Sequence, residues 1–288
     1  MMTVDELKKK LLAFWRSDDE KVSFIRDILV AIAVVLVILM LLWGYTGQWF
    51  AAPMVAIESG SMMHLDEPFG RIGTIDAGDM VLLVDVDAKS DIVTRGSSLG
   101  GEMARGAGGF TSYGDYGDVI IYRKYGRTDE DQIIHRAICW IEVNEENNQT
   151  TYTVEEFGLY DVSSITIPSM GLSNYKPSHE GYITKGDNPR TNRKSDQAGG
   201  ICSEPIRVSW VTGKARGELP WVGTVNLLFN DLLGGAFWNP SVAPTVYNVP
   251  DDCIICLVLL IIVLVSIPVS LDLYEYYQNK KEKQDQRF

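Results

Sequence analysis

The amino-acid sequence predicts a mainly β domain carried outside the membrane between an N-terminal and a C-terminal transmembrane helix. Three observations predict it. Residues 28–42 contain no charged or polar side chain, and the apolar run continues to Phe50. Residues 253–271 are nearly as pure, interrupted by Ser266, Pro268 and Ser270. Between the two runs, short β-branched and aromatic stretches are divided by Gly, Asp, Asn and Pro, the alternation of strand and turn.

The apolar runs set the ends of the domain. A bilayer core takes about 20 helical residues, and both runs supply them. A buried helix of a soluble domain is the weaker alternative for runs this long and pure. The first run exceeds the apolar stretch of a cleavable signal peptide. No clean small-x-small site follows it, although Ala51-Ala52 comes near. The predicted spans are therefore 28–50 and 253–271, with tails at 1–27 and 272–288.

Charge supplies the orientation. The 288 residues hold 26 Lys+Arg against 38 Asp+Glu, a net charge of −12. Residues 1–27 carry six basic and six acidic side chains, and residues 272–288 carry four of each. Region 51–252 therefore has 16 basic and 28 acidic side chains, which is the whole excess. Lys and Arg flank both runs on their terminal sides, while Asp251 and Asp252 abut the inner side of the second. By the bias of basic residues toward the cytosol, both tails are cytosolic. Region 51–252 then lies on the extracytoplasmic side of the cytoplasmic membrane. So acidic an exterior repels phosphate backbones and excludes nucleic acid as a partner of the bulk surface.

Within that region, strands are predicted at 54–57, 80–86, 118–122, 133–143, 151–154, 182–184 and 208–211. No long amphipathic helix is expected between 51 and 215, and there is no internal repeat. Residues 96–117 hold eight glycines, too little apolar surface to order themselves, and read as a mobile insertion between strands. Residues 217–248 are apolar, Trp-bearing and nearly uncharged. Two readings stand for them: a segment resting in the headgroup layer, where Trp is enriched, and core packing of the domain's last segment.

Four cysteines divide two and two. Cys253 and Cys256 are one helical turn apart in the second span, with no further ligand near, so a metal site is not expected there. Cys139 and Cys202 both fall in the outer region and can form a disulfide if that side is oxidising. Asn148-Gln149-Thr150 is a glycosylation sequon, whereas Asn239-Pro240-Ser241 is excluded by its proline.

The chemistry-bearing residues are few. The histidines are His64, His135 and His179. Metalloprotease, zinc-ribbon, phosphate-loop, dinucleotide and nucleophile-elbow motifs are all missing. Glu58-Ser59-Gly60-Ser61-Met62-Met63 follows an apolar strand about ten residues beyond the first span. Two serines around a glycine make a tight turn that exposes one hydroxyl beside another donor, the layout acyl transfer needs. A serine nucleophile needs a base. His135 lies in the strand pattern Gln132-Ile133-Ile134-His135-Arg136-Ala137-Ile138. A carboxylate must then orient the imidazole, and Lys185-Gly186-Asp187-Asn188 and Ser195-Asp196-Gln197 offer two. Each piece alone also has a plain reading: a loop, a core histidine, a turn.

Taken in order, these blocks resemble the type I signal peptidases of the archaeal and endoplasmic-reticulum type. The matching residues are Ser59-Gly60-Ser61-Met62, Gly78-Asp79-Met80-Val81-Leu82-Leu83-Val84, Gly117-Asp118-Val119-Ile120, Ile133-Ile134-His135-Arg136, Thr184-Lys185-Gly186-Asp187-Asn188 and Ser195-Asp196-Gln197. Val211-Thr212-Gly213-Lys214-Ala215 and Leu219-Pro220-Trp221-Val222-Gly223 match the family's closing strand and exit. The resemblance covers roughly residues 28–225. It implies a signal-peptidase-like, LexA-like β fold with Ser61 as nucleophile and Ser59 assisting the oxyanion hole. His135 stands where bacterial members carry a lysine base. The resemblance favours Asp196 as the histidine's partner and gives Asp187 a supporting role. It implies a membrane-bound serine endopeptidase that removes signal peptides, cutting after small residues, with no metal and no cofactor. The implied partners are secretory preproteins, the lipid bilayer and the protein translocation channel.

Two departures stand out. Met63-His64-Leu65-Asp66-Glu67 separates the serine block from Pro68, where many members have proline at once, and His64 in that polar setting reads as a loop residue. Pro189-Arg190-Thr191-Asn192-Arg193-Lys194 fills the gap between the two aspartates. The alternative function is a non-catalytic, membrane-anchored surface-binding protein of the same fold, in which Ser61 and His135 are structural. The peptidase reading requires a fold that brings His135 Nε2 within hydrogen-bond reach of Ser61 Oγ and an acid to the far nitrogen.

Overall fold

A computed structural model of the chain describes residues 3–17, 19–49, 52–64, 72–105, 109–146, 149–239 and 242–285. It divides into two units, Met1–Pro53 and Met54–Phe288.

The first unit is helical. Helix α1, Val4–Trp15, starts in a capping box: the Thr3 side chain accepts from Glu6 N while the Glu6 carboxylate accepts from Thr3 N. Helix α2, Glu20–Thr46, is capped by Asp19, which accepts from Lys21 N and Val22 N. It ends where Gly47 turns left-handed at φ 73°. At 1.5 Å per residue its 27 residues reach about 40 Å, beyond the thickness of a bilayer core. Its apolar window has mean hydropathy 2.9 and is unburied by protein. The helix is shifted toward the N-terminus of the predicted 28–50, because the Asp19 cap opens it early and Gly47 closes it early.

Among the described residues the second unit holds twelve strands: β1 (Met54–Ala56), β2 (Met80–Val84), β3 (Thr111–Ser112), β4 (Asp115–Tyr116), β5 (Val119–Arg123), β6 (Gln132–Glu146), β7 (Gln149–Val154), β8 (Leu159–Val162), β9 (Ile165–Ile167), β10 (Leu172–Tyr175), β11 (Gly181–Lys185) and β12 (Val211–Leu219). It also holds helices α3 (Arg95–Arg105), α4 (Asp196–Gly199), α5 (Gly223–Leu233) and α6 (Asp251–Asp285). The main sheet is antiparallel, ordered β1-β2-β12-β5-β6-β7-β8, and β11 adds to β6 as a branch. Thus β6 serves two neighbourhoods. Its first half pairs with β5 and β11, and residues 142–146 pair with β7. Both faces of its middle are covered, so residues 135–141 are buried without alternation. One apolar cluster gathers Ile120, Tyr122, Trp140, Tyr182 and Ile206. A second gathers Ile138, Ile141, Val154, Ile165 and Ile183. A third, with Ile57, Met62, Ile75, Val81 and Ile121, lies under the serine turn.

Several expectations are corrected. Residues 96–117 are not a loop alone. They include most of α3 and the β3–β4 hairpin. Among the described residues Gly96, Gly109 and Gly117 permit close approach of other chain segments, and residues 106–108 lie outside those described. A Cβ at Gly117, whose φ is +80°, would stand 2.5 Å from Arg95 N. Residues 208–210 form a 3-10 turn, and the strand begins at Val211. Strands β8 to β10 were not expected. Their short runs are broken by the turns at Gly158 and Gly171, which hide the period. The second apolar run is part of α6, which continues as helix to Asp285 through the stretch read as a tail. Its candidate span, Asp251–Lys281, contains an 18-residue window of mean hydropathy 3.2. Cys139 and Cys202 are free thiols buried in different clusters, so no disulfide joins them. Asn148 of the sequon lies outside the described residues.

Candidate active site

Register builds the site. On β6, His135 pairs opposite Ile120 and Arg136 opposite Val119. Side chains alternate along a strand, so the two neighbours point to opposite faces. Each finds a different aspartate. His135 Nδ1 stands 2.8 Å from Asp196 Oδ1 and 2.7 Å from Oδ2. Arg136 is fully buried and donates from Nε and Nη2 to Asp187, at 2.9 Å to Oδ1 and 2.5 Å to Oδ2.

Asp196 opens α4, whose N-cap Ser195 accepts from Ala198 N. Two more hydroxyls hold its carboxylate. Tyr122 on β5 donates at 2.7 Å and Thr184 on β11 at 2.6 Å. Burial alone pushes this carboxyl up. The His135 charge, with hydrogen bonds from His135, Thr184 and Tyr122, outweighs it, so Asp196 is held below the ordinary carboxylate value. The Tyr122 hydroxyl is pushed up by burial and then by Asp196, which keeps it a donor. With Asp196 ionised, the Nδ1 proton faces it. In the neutral imidazole this leaves Nε2 as the nitrogen with a free lone pair.

Asp187 is a different carboxylate. Burial pushes it up, and hydrogen bonds from His64 and Arg136 with the Arg136 charge bring it below the ordinary value. His64 Nε2 lies 3.4 Å from Asp187 Oδ2. Arg136 also spans the β3–β4 turn, donating to the carbonyls of Tyr113, Asp115, Tyr116 and Gly117. So the pair ties β6 to the hairpin and to the segment after β11.

The serine block folds as predicted for a tight turn. Residues Gly60–Met62 form one 3-10 turn with Ser59 extended before it. Its carbonyls are held from the aspartate segment. Asn188 N donates to Ser61 O at 2.9 Å, Asn188 Nδ2 to Gly60 O at 2.7 Å, and Asn192 Nδ2 to Ser61 O at 3.1 Å. Gly186 allows this approach, since a Cβ there would stand 2.6 Å from Ser61 O. Ser59 Oγ donates to Ser61 Oγ at 3.3 Å. Among the described residues no hydrogen bond joins Ser61 to His135.

Both residues line one cleft of about 550 Å³. It is lined by residues 55–61, leading out of β1, and by residues 131–135, leading into β6. Ile121 and Ile201 add apolar lining, and Asn188, Thr191 and Asn192 add polar lining. Strand β1 ends the sheet order, and among the described residues no further strand of that sheet pairs with its outer edge. Glu58 in the lining is pushed up by burial, then by the charges of Asp131 and Asp231.

The structure therefore brings Ser59, Ser61 and His135 to one cleft, with Asp196 behind the histidine. Asp187 is set apart from His135, on Arg136. Sequence reasoning assigned no role to Tyr122, Thr184, Arg136, Asn188 or Asn192. Arg136, Thr184 and Asn188 stood inside blocks already singled out. Tyr122 and Asn192 carried no local signal. Among the described residues no group of three or more His, Cys, Asp or Glu side chains could hold a metal ion. No protein-family model matches the chain, and no curated protein matches it.

Proposed function

We propose that the protein is a membrane-bound serine endopeptidase of the signal peptidase kind, acting on secretory preproteins whose signal helix lies in the bilayer. The observation that carries the reading is the His135–Asp196 pair at a cleft that Ser61 also lines. A buried, ionised carboxylate on Nδ1 fixes the tautomer that makes Nε2 a base. In this reading His135 takes the Ser61 proton and Oγ attacks the substrate carbonyl. The Ser59 hydroxyl, 3.3 Å from Ser61 Oγ, donates to the oxygen that becomes negative. Collapse returns the proton to the leaving amine and leaves an acyl-enzyme, which water hydrolyses with His135 as base again.

The cleft supports a peptide substrate in two ways. The outer edge of β1, at the end of the sheet order, offers backbone groups to an added extended segment. Val55, Ile57, Ile121, Ile133 and Ile201 supply apolar lining suited to small side chains before the cut. The two helices long and apolar enough to cross a bilayer support a membrane setting, and the Lys and Arg flanking them on their terminal sides favour the β domain on the extracytoplasmic side.

A non-catalytic surface-binding protein is the competing reading. It draws on one observation: the Ser61 hydroxyl bonds to Ser59 and not to His135. Reconstituted full-length protein in phosphatidylcholine vesicles, given a preprotein, separates the two. The peptidase reading expects one product whose new N-terminus follows a small residue. An intact preprotein after prolonged incubation with folded protein contradicts it.

A further inference from the structure

Helix α5 has two faces. Leu227 is 0% exposed and forms one cluster with Val249 and with Cys253 in the first turn of α6. That contact places α5 beside the end of the helix that is long enough to cross a membrane. The other face is apolar and open: Phe229 is 56%, Leu233 83% and, beyond the helix, Trp238 77% exposed. Leu228, Leu232 and Tyr247 extend this surface.

An open apolar patch of this kind marks a contact site. Charge says which contact. Between residues 219 and 250 the single charged side chain is Asp231, and it is 5% exposed. Its carboxylate accepts from Thr245 N, Thr245 Oγ1 and Val246 N, which turns it inward. In a region that otherwise carries the whole net charge of −12, a stretch this long without an exposed charge is suited to lipid and not to water. Its Trp and Tyr, each with an apolar body and a polar tip, are the side chains that favour the headgroup level.

We propose that α5 and the turn Ala236–Trp238 lie in the headgroup layer of the bilayer that α6 enters. Leu227 faces the domain, and Phe229, Leu233 and Trp238 enter the lipid. The seat is tied to the cleft. Asn248 Nδ2 donates to Glu58 O at 3.0 Å, one residue before Ser59, and α5 packs on β1. The segment therefore sets the height of the serine turn above the lipid. The lipid contact itself does not rest on the catalytic reading.

A photo-crosslinking amino acid placed singly at Phe229, Leu233, Leu264 and Tyr160 tests this in full-length protein in phosphatidylcholine vesicles. These side chains are all exposed, so the replacements leave the core intact. Leu264 lies in mid-α6 and reports whether α6 is in lipid. Tyr160 lies on β8 and reports background. Mass spectrometry should find phospholipid adducts at Phe229 and Leu233 at a yield near that of Leu264 and well above Tyr160. Adducts at Leu264 with none at Phe229 and Leu233 would overturn the proposal. So would crosslinks from those two positions to a second protein chain, or no lipid adduct at Leu264.

Discussion

Asp196 lies 2.7 Å from His135 Nδ1 and accepts two further hydrogen bonds, from Tyr122 and Thr184. The carboxylate is thereby fixed from three strands, and the imidazole ring is fixed by the carboxylate. Asp196→Asn keeps the volume but puts an amide donor toward Nδ1, favouring the tautomer whose Nε2 carries the proton. We expect kcat for preprotein cleavage to fall by about 10³–10⁴-fold with KM little changed. Steady-state rates of the reconstituted variant measure this, and a loss of less than tenfold would remove Asp196 from that role.

Asp187 predicts a different phenotype. It neutralises Arg136, which has no exposed surface. Asp187→Ala leaves a buried guanidinium without its counter-charge, a loss of about 3–5 kcal/mol. Denaturant unfolding should show this destabilisation, whereas Asp196→Asn should cost activity more than stability. Equal stability of Asp187→Ala and the parent protein would contradict the assignment.

Gly186 gives a test of geometry. A Cβ there would meet Asn192 Nδ2 at 2.5 Å and Ser61 O at 2.6 Å. Gly186→Ala must push the serine turn from the segment that holds it. A displacement of about 1 Å at a reacting group costs on the order of 10²-fold in rate. We expect that loss in kcat with a folded protein by circular dichroism.

The buried acids also set a pH profile. Asp187 and Asp196 are held below the ordinary carboxylate value, so the stability they add is present at neutral pH. It is lost as pH falls below about 4. Asp79 and Glu218 act in the opposite sense. Burial pushes them up to about 6 and about 7, so the folded state takes up protons before the unfolded chain does. Stability should therefore rise as pH falls from about 8 to about 5, then drop below about 4. Glu218 keeps one oxygen on Gly73 N, while its other, Oε2, is buried with no hydrogen-bond partner among the described residues. Glu218→Gln should flatten the upper limb and gain on the order of 1–2 kcal/mol at pH 8, given its partial exposure. Denaturant titrations at pH 8, 5 and 3 read all three regimes.

Much of this site is legible along the chain. Ser59, Ser61, His135, Asp187 and Asp196 stand in ordered blocks, and the strand at His135 is clear from Ile133, Ile134, Ala137 and Ile138. The two aspartates part company through register. One step along β6 exchanges His135 for Arg136, and the faces of a strand take their partners from different segments. Tyr122 reaches Asp196 across 74 positions of sequence, and Asn192 reaches Ser61 across 131. Such contacts follow from sheet pairing and leave no local mark. Residues 96–117 misled for a related reason. Composition counts glycines, but not that Gly117 is needed because Arg95 passes close to it.

The most direct test of the peptidase reading compares wild type with Ser61→Ala and His135→Ala, each reconstituted at full length and shown to be folded. Preprotein is supplied in the same vesicles, and the cleaved product is quantified over time. Wild type should release the mature protein, and both variants should fall at least about 10³-fold in rate. Cleavage at the wild-type rate by either variant would contradict a Ser61 nucleophile activated by His135.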